Sequence, residues 1–473
     1  MKRHLKEYWS LLLTIGIVGS SLIGCGANGS TSASDTSISN TNSEHENVAT
    51  IELPSINDLN LGEDYTELTA DIKFLTFRTD IIDKLNGYIT EFNKDYPNIT
   101  ITYEGVDDYE NDVLMRLSST NDWGQIMMIP LGISKEEASE YFISYGDSDA
   151  LSDTYNFTST WDYNGNTYGI ASTGNAYGIL YNRRVFKDAG ITEIPKTPDE
   201  FINALTLIKE NTDAIPLYTN YADAWPMSGW DAYIGIDATG DATYMNQVLV
   251  HASNPFANQG DGTHPYAVYK VLYDAVAQGL TEDDYTTTSE ERSYGMLNNG
   301  EIGTLAFASW ACVQVAAAGD HPDDIGYMPF PITINGKQYV GIGPDYCYGI
   351  NKNASIDEQI ASMLYVKWLT EKSGYAYSEG GIPIVKGEKM PSFYDDLAGI
   401  ELIEDEPALK GEESYFNDLN SETGLGINAN GNDKGQAIVE HAFAGDLAFD
   451  EIMEEWNQKW TEAQDKLGIE RSE

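Results

Sequence analysis

From Asp71 onward, short apolar runs alternate with apolar residues at helical spacing, and this alternation restricts the fold more than any other feature of the chain. Ile72, Phe74, Leu75 and Phe77 make a run of strand length. Ile81, Leu85, Ile89 and Phe92 then recur at helical spacing until Pro97 stops the helix. Ile99, Ile101 and Tyr103 alternate as a second strand, Val113, Leu114 and Leu117 mark a second helix, and Ile126 to Ile129 read as a third strand ended by Pro130. The pattern predicts an open α/β lobe with a parallel sheet. Such sheets take ligands beyond the carboxyl ends of their strands, so the loops Arg78 to Asp80 and Pro130 to Ile133 are candidates for contact.

The stretch Trp161 to Val185, WDYNGNTYGIASTGNAYGILYNRRV, has a different character. It reads as a turn at Asn164-Gly165, an extended segment through Ile170, a small-residue loop Ala171 to Ala176 and an apolar strand Tyr177 to Tyr181. An extended, Gly-rich crossing in a chain of 473 residues, long enough for two or three cores, suggests backbone passing from one lobe to another. A loop so placed lies on the floor of an interlobe cleft, where small-molecule sites form. Beyond it, Thr197-Pro198-Asp199-Glu200 starts a helix, with Thr as N-cap, Pro in the first turn and Glu at the third position of a capping box. Asn220 to Asp231 reads as a loop with two Trp, and residues 299–316 as a turn and an apolar strand leading to Trp310. A further strand and turn span Tyr339 to Ile350, an amphipathic segment Ile356 to Leu369, and a final helical stretch Ile438 to Leu467. No internal repeat is present.

The first 24 residues read as a secretory leader: Lys2, Arg3 and Lys6, then the apolar run Leu11 to Ile23, then Leu22-Ile23-Gly24-Cys25. Residues 26 to 64 have no Phe or Trp or Tyr and are rich in Ser, Thr, Asn and Asp, which suits a tether. The formal charge of −48 becomes −50 once the three basic residues and Glu7 of the leader are removed. Such a surface repels nucleic acid and anionic lipid, and its simplest meaning is solubility. Cys312 and Cys347 have no diagnostic spacing; they are expected as buried free thiols, with a disulfide as the alternative. Asp147, Asp149 and Asp153 lack the spacing of a calcium loop. There is no GxSxG, HExxH or CxxC, and the histidines of the mature chain lack metal-ligand spacing, so no catalytic residue, cofactor or metal is expected.

Cys25 in its setting resembles the lipobox of bacterial lipoproteins, whose cysteine is lipidated. Over about residues 70 to 465, FNKDYPNITI, NGNTYGI, YGILYNRRVFKDAGI, PKTPDEF, NNGEIGTLAFASWA, IGPDYCYGINKNA and GGIPI resemble, in order, the extracellular solute-binding proteins of ABC importers, in the family that includes the maltodextrin binders. One departure is Gly124-Gln125, where many members have an acidic residue before the third strand.

The resemblance implies a two-lobed, type II periplasmic-binding-protein-like α/β fold, each lobe an open, mainly parallel sheet flanked by helices, with the ligand cleft at the hinge. The expected division is a leader 1–24, a tether 25–69, a first lobe of 70–176 with 335–400, and a second lobe of 177–334 with 401–473. It implies stacking of a sugar on Trp310 and on Trp225 or Trp230, polar contact from Asn175, Arg78 and Asp80, and further contact from Asp345 and Tyr346. For each of these, a packing, turn or salt-bridge role is the alternative. The expected protein is a monomer, anchored through Cys25 on the outer face of the cell membrane, that binds a neutral carbohydrate and meets ABC permease subunits; no nucleic-acid partner is expected. A secreted glycoside hydrolase with a carboxylate pair, or a carbohydrate adhesin, is the competing reading.

Overall fold

The computed structural model describes residues 53–119, 123–428 and 433–472. The leader, Cys25 and the tether as far as residue 52 lie outside the described residues. Among the described residues the strands are, in order, β1 Ala70–Thr76, β2 Ile99–Gly105, β3 Ile126–Met128, β4 Gly146–Asp147, β5 Asp162–Tyr163, β6 Asn166–Thr167, β7 Ile170–Ala171, β8 Gly174–Ala176, β9 Gly178–Asn182, β10 Ile215–Tyr218, β11 Ile302–Ala306, β12 Ile325–Pro329, β13 Tyr339–Pro344, β14 Cys347–Ile350 and β15 Glu401–Glu404. The crossing loop expected at Ala171 to Ala176 is therefore strand at both ends, and Asn164-Gly165 is the turn of the β5–β6 hairpin, both residues having positive φ.

The first lobe is built on the sheet β2-β1-β3-β14-β7 and the second on β10-β11-β9-β12. The two-lobed α/β fold is as expected, but neither sheet is mainly parallel. β1 runs parallel to β2 and β3, whereas β14 is antiparallel to β3 and β7. In the second sheet β10 and β11 are parallel and β9 is antiparallel to both β11 and β12.

A third sheet, β15-β13-β8, carries the passages between lobes. β13 pairs antiparallel with β8, the strand that opens the crossing, and parallel with β15. On its second-lobe side Asp237, in the short helix Ile236–Thr239, accepts from the Gly341 backbone N at 3.0 Å. Burial pushes the Asp237 carboxyl well above the usual range. At the end of β15, burial and then neighbouring Glu404 raise Asp405 to about 6. Within the stretch 335–400, Tyr394 and Leu397 pack with Leu180, Leu305 and Tyr327 on the second-lobe side.

Three local readings change. Residues 53–69 are not tether but body: Ile56 and Leu59 are 0% and 3% exposed, and Ile56 N donates to Tyr145 O at 2.9 Å. Their aliphatic residues supply a buried face without any aromatic. The helix Ile356–Glu371 is not amphipathic, since every residue from Gln359 to Leu369 is buried. The C-terminal stretch is two helices, Asp433–Ala444 and Phe449–Leu467, separated where Gly445 takes φ +63°. The helix Pro198–Asn211 starts as expected, with Thr197 Oγ1 accepting from Glu200 N; the Glu200 carboxylate reaches back to Lys196 N, one residue ahead of the cap. Cys312 and Cys347 are free and buried.

The second-lobe core holds an ion pair. Lys434 Nζ lies 2.5 Å from Asp231 Oδ2, the side chains being 4% and 1% exposed, and Asp231 also accepts from Tyr269 Oη at 2.8 Å. Removing the cation takes the ammonium away from a buried carboxylate, so Lys434→Met is expected to cost about 3–5 kcal/mol in denaturant unfolding, where an exposed pair would cost under about 1.

Asp405 supplies a pH signature. Its pKa in the fold is raised above the unfolded value, so its contribution is full at low pH and is lost as pH rises through about 6. Asp405→Asn is expected to leave the melting midpoint unchanged at about pH 3, below the unfolded pKa. At pH 8 it should raise stability by on the order of 1 kcal/mol, after allowing for partial exposure. An equal effect at both pH values would contradict the assignment.

Candidate functional site

The aromatic half of the site is built on the turn after β11. Phe307 is buried at the strand's end, Ser309 is fully buried, and Trp310 caps the helix Ala311–Ala317. Ser309 is clamped to β8: its backbone N donates to Ala176 O at 3.0 Å and its Oγ accepts from Ala176 N at 2.9 Å. Tyr394 Oη lies 2.8 Å from the same Oγ. Trp310 is thereby fixed beside the crossing strand rather than at a free loop tip.

Asn220 to Asp231 is not an irregular loop but includes two 3-10 turns, Tyr221–Asp223 and Trp225–Tyr233. Between them Ala224 takes φ +58°, an uncommon region for a residue with a side chain. The Trp225 ring that follows stacks on Phe307 at 5.7 Å between centroids and 29° between planes, and sits 6.0 Å from Trp310. With Tyr177, Pro226 and Tyr233 these rings line a cavity of about 170 Å³.

Trp230, expected as a possible platform, is 2% exposed and packs edge-on against Tyr233 and Phe330 in the core. At three residues per turn, a five-residue offset puts Trp225 and Trp230 on different sides of the helix. Trp225 remains 37% exposed. A larger depression of about 520 Å³, lined by Arg184, Asp188, Asp213, Met296 and Glu301 among others, contains no aromatic ring and none of the expected residues.

The polar half comes from the crossing and from the first lobe. Asn175, on β8 opposite Gly343, is 8% exposed, and its Oδ1 is buried without a partner among the described residues. Asp345 continues β13: its N donates to Thr173 O at 2.8 Å and its Oδ1 accepts from Tyr346 N at 2.9 Å. Burial raises its carboxyl, and Arg78 opposes the shift.

Arg78 is held firmly by its own lobe. Its Nε and Nη2 grip Asp80 at 2.9 Å each, Nη2 also meets Glu379 at 2.6 Å, and Nη1 donates to Tyr375 Oη at 3.2 Å. Lys84 pairs with the other Glu379 oxygen. Four of the five guanidinium N–H groups are thus engaged within the protein. Asp80 is drawn below the usual carboxylate range, first by that hydrogen bond, and its side chain is 59% exposed. Tyr346 is likewise occupied: its hydroxyl donates to Glu110 at 2.7 Å and its ring packs on Phe77 at 4.7 Å. Gln125, at the place of the family's acidic residue, ties Lys73 N to Glu358.

The structure thus brings Trp225 and Trp310 together, places Asn175 and Asp345 on one strand pair, commits Arg78 with Asp80 and Tyr346 to side-chain networks, and sends Trp230 to the core. Two cavity residues escaped the sequence reading. Phe307 lies three residues before Trp310 in LAFASWA, and Tyr177 two residues after Asn175, a spacing that puts both on one face of a strand.

The family profile described as bacterial extracellular solute-binding protein matches residues 78–376. Among solved structures, a manno-oligosaccharide-specific solute-binding protein of Bifidobacterium animalis subsp. lactis, in complex with mannotriose, is similar at 47% identity and a TM-score of 0.81, covering 87% of this chain and 99% of its own. A binding protein of an ABC transporter from the same organism, in complex with mannobiose, is similar at 48% identity, with the same TM-score of 0.81 and coverage of 87% and 99%. The diacetylchitobiose-binding protein of Streptomyces coelicolor is 43% identical over 156 residues, 32% of this chain and 34% of its own. The chain spans less than half the length of the curated relatives it matches, 43% and 34% for the two. With the profile running over well more than half of the chain and the similarity to solved members covering most of it, the chain belongs to the bacterial extracellular solute-binding proteins.

Proposed function

We propose that this protein is the substrate-binding lipoprotein of an ABC importer, that it captures neutral manno-oligosaccharides between its two lobes, and that it delivers them to membrane permease subunits without covalent chemistry. One observation carries the reading: the cavity framed by Trp225, Phe307 and Trp310 with Tyr177 at its wall. An apolar sugar face stacks on an aromatic ring and leaves its hydroxyls for directional hydrogen bonds. Asn175 and Asp345 lie on the crossing strand pair beside Tyr177, and the engaged state of Arg78 leaves no paired guanidinium to favour an anionic ligand. The manno-oligosaccharide class is supported by the two similar Bifidobacterium proteins, whose ligands are mannotriose and mannobiose. Lipidation of Cys25 at the outer face of the membrane completes the proposal, with a single copy of the chain as the acting unit.

Ligand touching both lobes favours the closed arrangement, because a ligand shifts that balance only through interactions it makes in the closed state and not in the open one. A thermal-shift screen with mannobiose, mannotriose, other oligosaccharides and short peptides tests the reading, with product analysis on each hit. A manno-oligosaccharide at a hundredfold excess over its Kd is expected to stabilise the protein by about 2.7 kcal/mol, with no cleavage products. Cleavage products would favour the hydrolase, and shifts with peptides alone would overturn the sugar. Trp310→Ala is expected to weaken manno-oligosaccharide binding by roughly thirtyfold or more while the unliganded protein still unfolds cooperatively, a loss of the size seen when a buried aromatic anchor is truncated.

A further inference from the structure

On the face of the bridging sheet that Asn175 occupies, the two-residue period of a strand places Thr173, Asn175 and Tyr177 in a row. Opposite them stand Asp345, Gly343 and Gly341: Asn175 pairs with Gly343, Asp345 N donates to Thr173 O, and Tyr177 N donates to Gly341 O at 2.9 Å. Directly opposed residues of an antiparallel pair share a face. Neither glycine has a side chain there, and the Tyr177 ring fills the space. A methyl group at Gly341 would come within 3.0 Å of the ring's Cδ2, and one at Gly343 within 2.4 Å of the phenolic oxygen. Tyr177 therefore lies along the sheet with its hydroxyl over the residue that faces Asn175.

The three groups at this point have unequal occupancy. No described protein group hydrogen-bonds the Tyr177 hydroxyl, and Asn175 Oδ1 is buried and unpartnered. One Asp345 oxygen is engaged by the backbone of Tyr346. The Tyr177 ring also lines the cavity beneath Trp225 and Trp310. Burial, then the carboxylates of Asp405, Asp237, Asp345 and Glu404, hold the phenol well above its usual pKa, so it is a neutral donor. A buried amide oxygen without a partner is costly unless something else supplies a donor.

The geometry points to Tyr177 as a specificity-determining residue: its hydroxyl donates to, and Asn175 Oδ1 accepts from, one and the same hydroxyl of the bound saccharide, while Gly341 and Gly343 let the ring lie low enough to do so. This deepens the saccharide reading above and rests on it. A site that offers one donor and one acceptor to a single hydroxyl rejects an analogue lacking that group, because both protein atoms are then left unpaired. An aromatic platform alone has no such selectivity.

The test measures affinities of the wild type, Tyr177→Phe and Gly343→Ala for mannobiose and for a panel of its monodeoxy analogues by calorimetric titration, with melting of each unliganded protein. Tyr177→Phe is expected to lower affinity for mannobiose about five- to tenfold, the size of one hydrogen bond, with an unchanged melting midpoint. It should also abolish the wild-type penalty against one particular deoxy analogue while leaving the others in their order. Gly343→Ala, which must displace the phenol, is expected to lose the same discrimination. If Tyr177→Phe binds mannobiose as the wild type does and ranks the panel identically, the role of Tyr177 is overturned and the saccharide reading stands. If the wild type binds no saccharide, both fall together.

Discussion

The site depends on one contact, the double clasp between Ser309 and Ala176. Two hydrogen bonds join the turn after β11 to the strand that leaves the first lobe, and Tyr394 closes over them. Both partners are fully buried, so the clasp is not in competition with water. Because Phe307 and Trp310 flank Ser309, an aromatic platform belonging to the second lobe is registered against the crossing strand that carries Asn175 and Tyr177. Loosening that contact would separate the aromatic cluster from Asn175 and Tyr177, though each half alone would be intact.

The bridging sheet gives the second constraint. β8, β13 and β15 pass between the lobes side by side, and their pairing means that a movement of one lobe on the other is shared by three segments instead of bending one. The charges set there are unusual. Asp237 is buried against a strand amide and Asp405 lies close to Glu404, in a protein whose formal charge is already −48. Asp237, held in its neutral form by burial, relieves a repulsion that would otherwise act where the lobes join.

The general architecture was legible in the sequence because it is written in local periodicity. Ile72 to Leu75, Ile81 to Phe92 and Ile99 to Tyr103 gave strand, helix and strand where the structure has them, and the crossing was visible as a Gly-rich extended stretch. The meeting of Trp225 and Trp310 at one cavity followed from resemblance, since no periodicity marks it. What local pattern could not show depends on residues far apart in the chain. Glu379, which fixes Arg78, is 301 positions away. Trp230 entered the core because its segment is wound at three residues per turn, and a sequence of that composition does not declare its pitch. Ile56 and Leu59 looked like part of a polar tether until a surface to cover them was present, and the helix Ile356–Glu371 looked amphipathic because its Gln359, Ser362 and Lys367 are buried polar groups.

The buried helix Ile356–Glu371 has a consequence for biosynthesis. It packs in the same core as Phe74, Phe92 and Ile126, so the sheet begun by β1 lacks part of its covering until the ribosome has made the second lobe and returned. At usual elongation rates that interval is on the order of ten seconds or more. During it Phe74 lacks its edge-on partner Tyr365, and the intervening lobe is itself unfinished, since Ile438, Trp456 and Trp460 of its core are made last. Each lobe thus waits for a segment made after the other has begun, and both cores stay open until the chain is nearly complete.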